Sequence, residues 1–318
     1  MSYIPDNALI IQSDRSVLLE VHSPHANAAR DAIAPFAELV KSPEHIHTYQ
    51  ISPLSIWNAR AAGMPVAEMI AALRSYSKYP MPEAIAQELE TLGSRYGLTT
   101  IDRVDDTLLL TMVDLPLAEL LSRDRDVSQF LAQRRSDLVF EVDPAHRGVL
   151  KQALLIAGYP AEDLAGYVDG DRLEVELLET CRSGQPFGLR DYQTEAVAAF
   201  YQAGLARGGS GTIVLPCGAG KTMVGLAAIA TIQENTLILT SSLTSVRQWQ
   251  RELLDKTNLA PDSIAEYSGE SKQTAPITLA TYQILSYRSS KTDEFPHFQL
   301  FSARAWGLII YDEVHLLP

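Results

Sequence analysis

Two short motifs contain the residue types that phosphoryl transfer requires. The first reads LPCGAGKT over residues 215–222, after the β-like run 212–214 and before a helical run from 223 to 232. Gly218 and Gly220 let successive backbone N–H groups turn toward phosphate oxygens. Lys221 brings a positive charge to the β and γ phosphates, and Thr222 offers a hydroxyl to Mg²⁺. The loop therefore predicts a bound nucleoside triphosphate.

The second motif places two carboxylates at the end of a strand. The apolar run WGLIIY over residues 306–311 leads directly into DEVH at 312–315. Asp312 is suited to hold the water shell of a metal ion, and Glu313 to orient and deprotonate an attacking water. The common loop pattern has glycine where this chain has Leu215, so the first motif matches only the G-x-G-K-T core. The alternative is a glycine-rich turn and an unrelated acidic loop, but the two motifs support each other.

Composition fits an intracellular protein of two or three domains. The 318 residues are 46% hydrophobic, enough for several cores, and no apolar run approaches membrane-spanning length. The amino terminus lacks the basic and apolar stretches of a secretory signal, so we expect a cytoplasmic location. Cys181 and Cys217 have no partner at metal-ligand spacing, which predicts two reduced thiols and no zinc site.

Most of the acidic excess falls in one part of the chain. The net charge is −13, of which −11 falls on residues 1–182 and −2 on residues 183–318. Acidity argues against a nucleic-acid partner. A nearly neutral segment can still present a local basic groove, because few phosphate contacts are needed at a time.

Residues 1–114 are predicted to form an accessory α+β domain that is winged-helix-like. Alternating apolar runs at 8–11 and 17–21 predict a hairpin. Pro65 and Pro82 suit the first turns of helices. The further predicted elements are helix 25–40, strand 45–51, helices 53–62, 66–76 and 83–96, and a hairpin of 98–103 with 107–112. Such a unit could bind DNA or protein or serve only for packing, and no basic recognition helix decides between them.

Residues 115–182 are predicted to form a second small α+β domain, closed by linker-like composition at 181–188. Its predicted elements are helices 117–123 and 127–135, strand 138–142 and helix 144–157. The densest basic cluster of the acidic segment lies here: Arg123, Arg125, Arg134, Arg135, Arg147 and Lys151. The cluster is either a phosphate-contact face or a solvated surface neutralised by Asp124, Asp126 and Asp137.

Residues 183–318 open with an amphipathic helix that carries Gln193 ahead of the loop. This order of motifs resembles the superfamily 2 helicases. Further matches lie at 237–240, 246–249, 277–283 and 306–315, and with SPEHIHTY at 42–49 and PLSIWN at 53–58 they look like the bacterial form of the XPB (xeroderma pigmentosum group B) helicases. The resemblance covers nearly the whole chain. It implies an α/β fold, in which a RecA-like P-loop lobe with a parallel sheet follows two smaller α+β domains, the second similar to a damage-recognition domain.

The resemblance also implies roles for individual residues. Gln193 would read the adenine edge, because one amide can both donate to and accept from the base. Trp249 follows helical spacing from Val246 to Leu253, which favours core packing over a base-stacking platform. The implied sets are Gln193, Arg190, Gly218, Ala219, Gly220, Lys221 and Thr222 for the nucleotide; Glu313, Lys221 and Asp312 for catalysis; Thr222 and Asp312 for Mg²⁺; Thr240, Ser242, Arg247, Gln248, Thr281 and Tyr282 for DNA; and His315 for coupling between the γ-phosphate and DNA.

The implied activity is that of an ATP- and Mg²⁺-dependent 3′–5′ DNA helicase or translocase of DNA repair. DNA would be bound through its backbone, and a repair nuclease or a transcription-repair protein is a further expected partner. Because the sequence stops at Pro318, we expect the second RecA-like lobe and its arginine to be missing, so this chain alone should bind ATP but hydrolyse it poorly. Two other interpretations stay open. They are an ATP-gated DNA or protein adaptor without turnover, and a motor subunit of a restriction or remodelling complex.

Overall fold

The chain divides into two compact units in the computed structural model, 1–165 and 166–318. The structure describes residues 3–105, 107–206, 208–216, 218–269, 271–288 and 295–316. Cys217, predicted to be a reduced thiol, lies outside the described residues. Cys181 is a buried free thiol.

The first unit begins with an antiparallel sheet covered by helices. Its strands are β1 Leu9–Ile11, β2 Ser16–Glu20, β3 Glu38–Lys41 and β4 Ile46–Gln50, in the order β1-β2-β4-β3. Its helices are α1 Ala26–Ile33, α2 Pro53–Ala61, α3 Val66–Tyr76 and α4 Glu83–Gly93. The predicted first hairpin is confirmed. The helix predicted over 25–40 is wrong beyond Ile33, because Pro35 has no N–H with which to continue it, and 38–41 pair with β4 instead.

A second sheet completes the first unit. It comprises β5 Thr99–Val104, β6 Thr107–Met112, β7 Leu131–Arg134, β8 Val139–Val142 and β9 Ala161–Asp163, in the order β7-β8-β6-β5-β9. Its helices are α5 Leu115–Arg123, α6 Arg125–Ser128 and α7 Arg147–Ile156. The helix predicted over 127–135 is wrong. Asp124 caps a single turn, and the chain then returns as β7 to pair with β8, so tertiary pairing overrides the helical spacing.

The sheets of the first unit have separate apolar cores. One core is built from residues 8–89 and the other from residues 101–165. Strands β5 and β6, from before the predicted boundary at 114/115, pair with strands from after it, β5 with β9 and β6 with β8. The assignment of functional domains to 1–114 and 115–182 stays a prediction.

The second unit is an α/β lobe with a parallel sheet. Its elements are α8 Asp191–Tyr201, α9 Lys221–Ile232, β10 Thr236–Thr240, α10 Leu243–Lys256, β11 Ile264–Tyr267, β12 Ile277–Thr281, α11 Tyr282–Ser286 and β13 Leu308–Tyr311. The strand order is β11-β12-β10-β13, and every pair is parallel. All residues of β10 and β12 are buried, as expected for strands covered on both faces. The predicted α/β, RecA-like lobe is confirmed.

Residues 166–182 pack on this lobe. Val175 is buried among the lobe's apolar side chains. The guanidinium of Arg182 donates to the carbonyl oxygens of Thr257 and Leu259. The functional boundary at 182/183 stays a prediction, while the compact unit begins at residue 166.

The segment before the glycine-rich loop differs from expectation. Residues 212–214 were predicted to be a strand, but no strand forms there, and Val214 is 85% exposed. Among the described residues, β13 pairs only with β10 and presents its other edge to this segment. A run with high β-propensity becomes a strand only when a neighbour supplies its hydrogen bonds.

Candidate nucleotide site

The glycine-rich loop runs into the amino terminus of α9. Gly218 and Gly220 have φ angles of +78° and +79°, a left-handed conformation that glycine adopts without strain. No side chain caps this twelve-residue helix. The backbone N–H and the hydroxyl of Thr222 make no hydrogen bond within the described part of the chain. Open N–H groups at the start of a helix attract anions, so the loop suits a phosphate group.

Side chains of α8 fix the loop through hydrogen bonds to one of its carbonyl oxygens. The carbonyl oxygen of Ala219 accepts hydrogen bonds from the Tyr192 hydroxyl at 2.6 Å and from Gln193 Nε2 at 3.0 Å. Gln193 Oε1 accepts from the backbone N–H of Arg190 at 2.9 Å, and Gln193 is only 4% exposed. A Cβ atom at Gly220 would lie 2.6 Å from Gln193 Nε2, so a larger residue there would displace the Gln193 amide. Gln193 therefore fixes the loop, and its contact with adenine stays a prediction.

The tertiary fold brings the two sequence motifs together. Lys221 Nζ lies 2.6 Å from Glu313 Oε1, although the residues are 92 positions apart in the sequence. The hydrogen bond from Lys221 holds the pKa of the Glu313 carboxyl below its ordinary value, so this carboxylate is ionised at neutral pH. His315 Nδ1 lies 3.5 Å from the other carboxylate oxygen of Glu313. The predicted phosphate lysine and the predicted general base are thus direct neighbours.

Asp312 is held by three neighbouring elements. Its backbone N–H donates to the Leu239 carbonyl of β10 at 2.8 Å. Its side-chain Oδ2 accepts from the indole Nε1 of Trp249 in α10 at 2.8 Å, and its backbone carbonyl accepts from the Tyr282 hydroxyl in α11 at 2.7 Å. Oδ1 accepts no hydrogen bond from the described residues. One oxygen of this carboxylate therefore remains available to a cation or to its water.

The donor set fits a nucleotide with Mg²⁺ better than a metal bound by protein alone. Within the described ranges, no group of three or more His, Cys, Asp or Glu side chains is arranged to hold a metal ion. Mg²⁺ keeps most of its waters and takes only one or two protein ligands beside phosphates. The unengaged Thr222 hydroxyl and Asp312 Oδ1 are oxygen donors of that kind.

A cavity of about 560 Å³ lies beside β13. Its walls are the segment 211–215, one face of α9 and the edge of β13, and it reaches Lys221, Asp312 and Glu313. The cavity is therefore continuous with the acidic end of the candidate site.

Comparison with known proteins identifies the family. The profile described as "Type III restriction enzyme, res subunit" matches residues 186–318, and that described as "Helicase conserved C-terminal domain" matches residues 9–136. The chain is 47% identical to a protein named DNA 3'-5' helicase XPB from Kineococcus radiotolerans, over 98% of this chain and 54% of that protein. It is 46% identical to the protein of the same name from Mycobacterium tuberculosis, over 98% and 55%. The chain belongs to the XPB helicase family.

The XPB-family chain spans about half the length of the curated relatives it matches. A more distant relative is the "General transcription and DNA repair factor IIH helicase/translocase subunit XPB" of Antonospora locustae. It is 28% identical over 98% of this chain and 46% of the relative. The resemblance predicted from the motifs is confirmed.

The residues expected to contact DNA in this XPB-family chain fall into two groups. Thr240, Thr281 and Tyr282 are buried, whereas Arg247 and Gln248 are exposed on α10 and Ser242 is partly exposed at its start. Thr240 and Thr281 end β10 and β12, and Ser242 and Tyr282 lie just after these ends. Arg247 and Gln248 lie further along the chain, inside α10. A direct role of each residue in DNA binding stays a prediction.

The basic cluster of the first unit is largely paired with carboxylates. Arg123 and Arg134 both contact Glu119, and Arg135 contacts Glu141. Arg147 and Lys151 both contact Asp163, each at 2.8 Å. These pairs match the neutralised surface better than a free phosphate-contact face. Of the three aspartates expected as partners, Asp137 contacts Arg134 at 3.9 Å.

Trp249 is the functional candidate that the sequence did not identify. The sequence predicted core packing, and Trp249 is indeed only 2% exposed. Its hydrogen bond to Asp312 was not foreseen. A buried indole N–H usually finds an acceptor, so the signal was present, but the sequence does not say which acceptor.

Proposed function

We propose that this XPB-family chain carries the nucleotide-binding part of an ATP- and Mg²⁺-dependent DNA motor, a 3′–5′ helicase or translocase that acts in DNA repair. The contact between Lys221 and Glu313 carries the proposal, because it unites the phosphate-binding loop with the carboxylates at the end of β13. Relatives of which this chain spans about half are named DNA 3'-5' helicases. Their names support the proposal for this chain.

Phosphate groups at the loop would compete with Glu313 for Lys221. The N–H of Thr222 at the start of α9, unbonded among the described residues, and the charge of Lys221 favour the phosphates. Once Lys221 moves to a phosphate, the pKa of Glu313 rises toward its ordinary value, because the hydrogen bond that lowered it is gone. Glu313 then becomes a better proton acceptor for an attacking water. Bound Mg²⁺ would supply charge neutralisation at the phosphates, with Thr222 and Asp312 as its protein ligands.

DNA is the proposed second ligand of the lobe. Arg247 and Gln248 are exposed on α10, the helix whose Trp249 contacts Asp312. A guanidinium and an amide suit the sugar-phosphate backbone, and such contacts carry no base sequence. A cytoplasmic location belongs to the same proposal. Within the described part of the chain, none of the helices has the length and apolarity that crossing a bilayer requires.

A second candidate is a motor of a restriction complex. The match of residues 186–318 to a type III restriction profile favours it. Relatives named XPB match 98% of the chain, including the first unit, and this wider match supports the repair motor instead.

Binding of a fluorescent ATP analogue to the 318-residue chain tests the proposal. We expect Mg²⁺-dependent binding, a change in nucleotide affinity when DNA of mixed sequence is added, and slow hydrolysis by this chain alone. By linkage, nucleotide must then change DNA affinity by the same factor. A chain that binds neither ligand would overturn the proposal. Nucleotide-dependent capture of DNA, with no hydrolysis by a longer relative such as that of M. tuberculosis, would favour the adaptor.

A further inference from the structure

The Trp249 indole contacts both α9 and the residue that follows β13. Its ring packs against Gly225 in α9, where a Cβ atom would overlap the ring. Glycine inside a helix costs roughly 1 kcal/mol relative to alanine, so this close approach has an energetic cost that the packing must offset. From that position Trp249 Nε1 donates to Asp312 Oδ2 at 2.8 Å. The ring therefore lies in direct contact with the helix that begins at the phosphate loop.

The Tyr282 hydroxyl holds the same residue from another side. It donates to the Asp312 backbone carbonyl at 2.7 Å, and Tyr282 is only 3% exposed. Its ring stacks on Tyr311, the residue before Asp312, with centroids 6.5 Å apart.

We propose that Trp249 and Tyr282 are positioning residues for Asp312, and that they direct its Oδ1 toward the Mg²⁺ of a bound nucleotide. The inference rests on the proposed function and extends it. Trp249 fixes the rotation of the carboxylate by occupying Oδ2, and Tyr282 fixes the backbone from which that carboxylate projects. Because Trp249 also packs against α9, one side chain contacts both Asp312 and the helix that begins at the phosphate loop.

Loss of either positioning residue should lower the affinity for Mg²⁺ more than the affinity for nucleotide without Mg²⁺. Partners that orient a metal ligand typically change metal affinity by about 10- to 100-fold when they are removed. Loss of the indole N–H should therefore weaken the Mg²⁺-dependent part of nucleotide binding. Nucleotide binding measured in EDTA, which removes Mg²⁺, depends on the loop and Lys221 and should change little.

The test compares nucleotide affinity with and without Mg²⁺ for conservative variants. Trp249→Phe removes the indole N–H and keeps an aromatic ring, and Tyr282→Phe removes only the hydroxyl. We expect the Mg²⁺ concentration for half-maximal binding to rise about tenfold in Trp249→Phe and by a smaller factor in Tyr282→Phe. Mn²⁺ binding in the presence of nucleotide, followed by electron paramagnetic resonance, should weaken in parallel.

Matched controls exist in the same lobe. Trp306 Nε1 donates to the Leu300 carbonyl at 2.9 Å, and the Tyr267 hydroxyl contacts His297 at 3.1 Å, so Trp306→Phe and Tyr267→Phe lose comparable groups away from Asp312. Both should keep the wild-type Mg²⁺ dependence. If Trp249→Phe keeps the wild-type ratio of nucleotide affinities with and without Mg²⁺, the positioning role is overturned and the proposed function stays intact. A wild-type chain that binds no nucleotide would overturn both.

Spectroscopy of the unsubstituted Trp249 keeps the inference testable if Trp249→Phe fails to fold. The chain has 3 tryptophans, so Trp57→Phe and Trp306→Phe assign the remaining indole N–H signal in ¹⁵N-labelled protein. Asp312→Asn should shift the Trp249 signal alone, and so should addition of Mg²⁺ to the nucleotide complex. A Trp249 signal that responds to neither change would contradict the proposal.

Discussion

Lys221 Nζ and Glu313 Oε1 form an ion pair at 2.6 Å between the first turn of α9 and the end of β13. Both side chains are about one-third exposed, at 34% and 35%, so water screens the pair and phosphate can reach it. The pair joins a residue predicted to bind phosphate to one predicted to activate water. When nucleotide binds, we expect Lys221 to exchange its contact with Glu313 for a contact with phosphate.

Replacement of Lys221 should weaken nucleotide binding. A hydrogen bond to a charged group contributes about 1.5–3 kcal/mol, so Lys221→Ala should lose roughly 10- to 150-fold in affinity, measured by anisotropy of a labelled ATP analogue. Lys272→Ala is the control, because Lys272 is exposed and contacts Tyr267 and His297 instead. Equal affinities for Lys221→Ala and wild type would remove Lys221 from the nucleotide site.

Replacement of Glu313 should separate binding from turnover. Glu313→Gln removes the negative charge that holds Lys221, so nucleotide binding should be retained or become tighter. Loss of a general base typically slows proton transfer by about 10²–10⁴-fold. Hydrolysis is best measured in a longer relative such as that of M. tuberculosis, with the residue that aligns with Glu313 replaced. Turnover that survives this change would reassign the base.

Replacement of Gly225 should disturb the site through Trp249. Alanine is usually favoured over glycine in a helix by about 1 kcal/mol, but a Cβ atom at residue 225 would overlap the indole ring. Gly225→Ala should therefore lower the thermal midpoint and raise the Mg²⁺ requirement for nucleotide binding. Gly148→Ala in α7 is the control, because nothing lies within 4 Å of its Cβ position, and it should be neutral or stabilising. A stabilising effect at both positions would contradict the packing argument.

Asp163 should make the first unit sensitive to acid. Burial raises the pKa of its carboxyl, but hydrogen bonds from Arg147 and Lys151 outweigh burial and leave the pKa below its ordinary value of 3.8. The folded-state pKa is lowered, so the stabilisation is fully present above about pH 4 and is lost as the pH falls through the folded-state value. Asp163→Asn should lower the free energy of unfolding at pH 7 by on the order of 2 kcal/mol in urea titrations.

Asp163→Asn should also make the free energy of unfolding fall less steeply as the pH is lowered. Asp137→Asn is the control, since Asp137 is 88% exposed and lies 3.9 Å from Arg134. Such an exposed pair contributes little. If both variants lose stability equally at pH 7 and follow the wild-type acid profile, Asp163 is not the responsible carboxylate.

Several elements followed directly from local sequence patterns. The hairpin of β1 and β2 and helices α2 and α3 lie where the apolar spacing and Pro53 and Pro65 placed them. Errors occurred where local spacing was ambiguous. Residues 131–134 fit a helical period but pair with β8, and residues 212–214 have β-branched residues but no strand partner.

The chemistry of the site was determined by the sequence itself. A G-x-G-K-T loop ahead of a helix can bind phosphate because glycines free the backbone N–H groups and lysine supplies charge, and those properties are local. The position of Asp312 and Glu313 at the end of a strand was equally local, because an apolar run followed by two acids predicts it. The family resemblance rested on these same motifs.

Only the tertiary structure decided which of these groups meet. The ion pair of Lys221 with Glu313 and the hydrogen bonds of Trp249 and Tyr282 to Asp312 join residues 92, 63 and 30 positions apart. Parallel pairing of β10 with β12 and β13 brings their carboxyl ends to one edge of the sheet, and that pairing places α9, α10 and α11 around Asp312. Contacts at this separation depend on packing of the whole lobe, and no local spacing of residues encodes them.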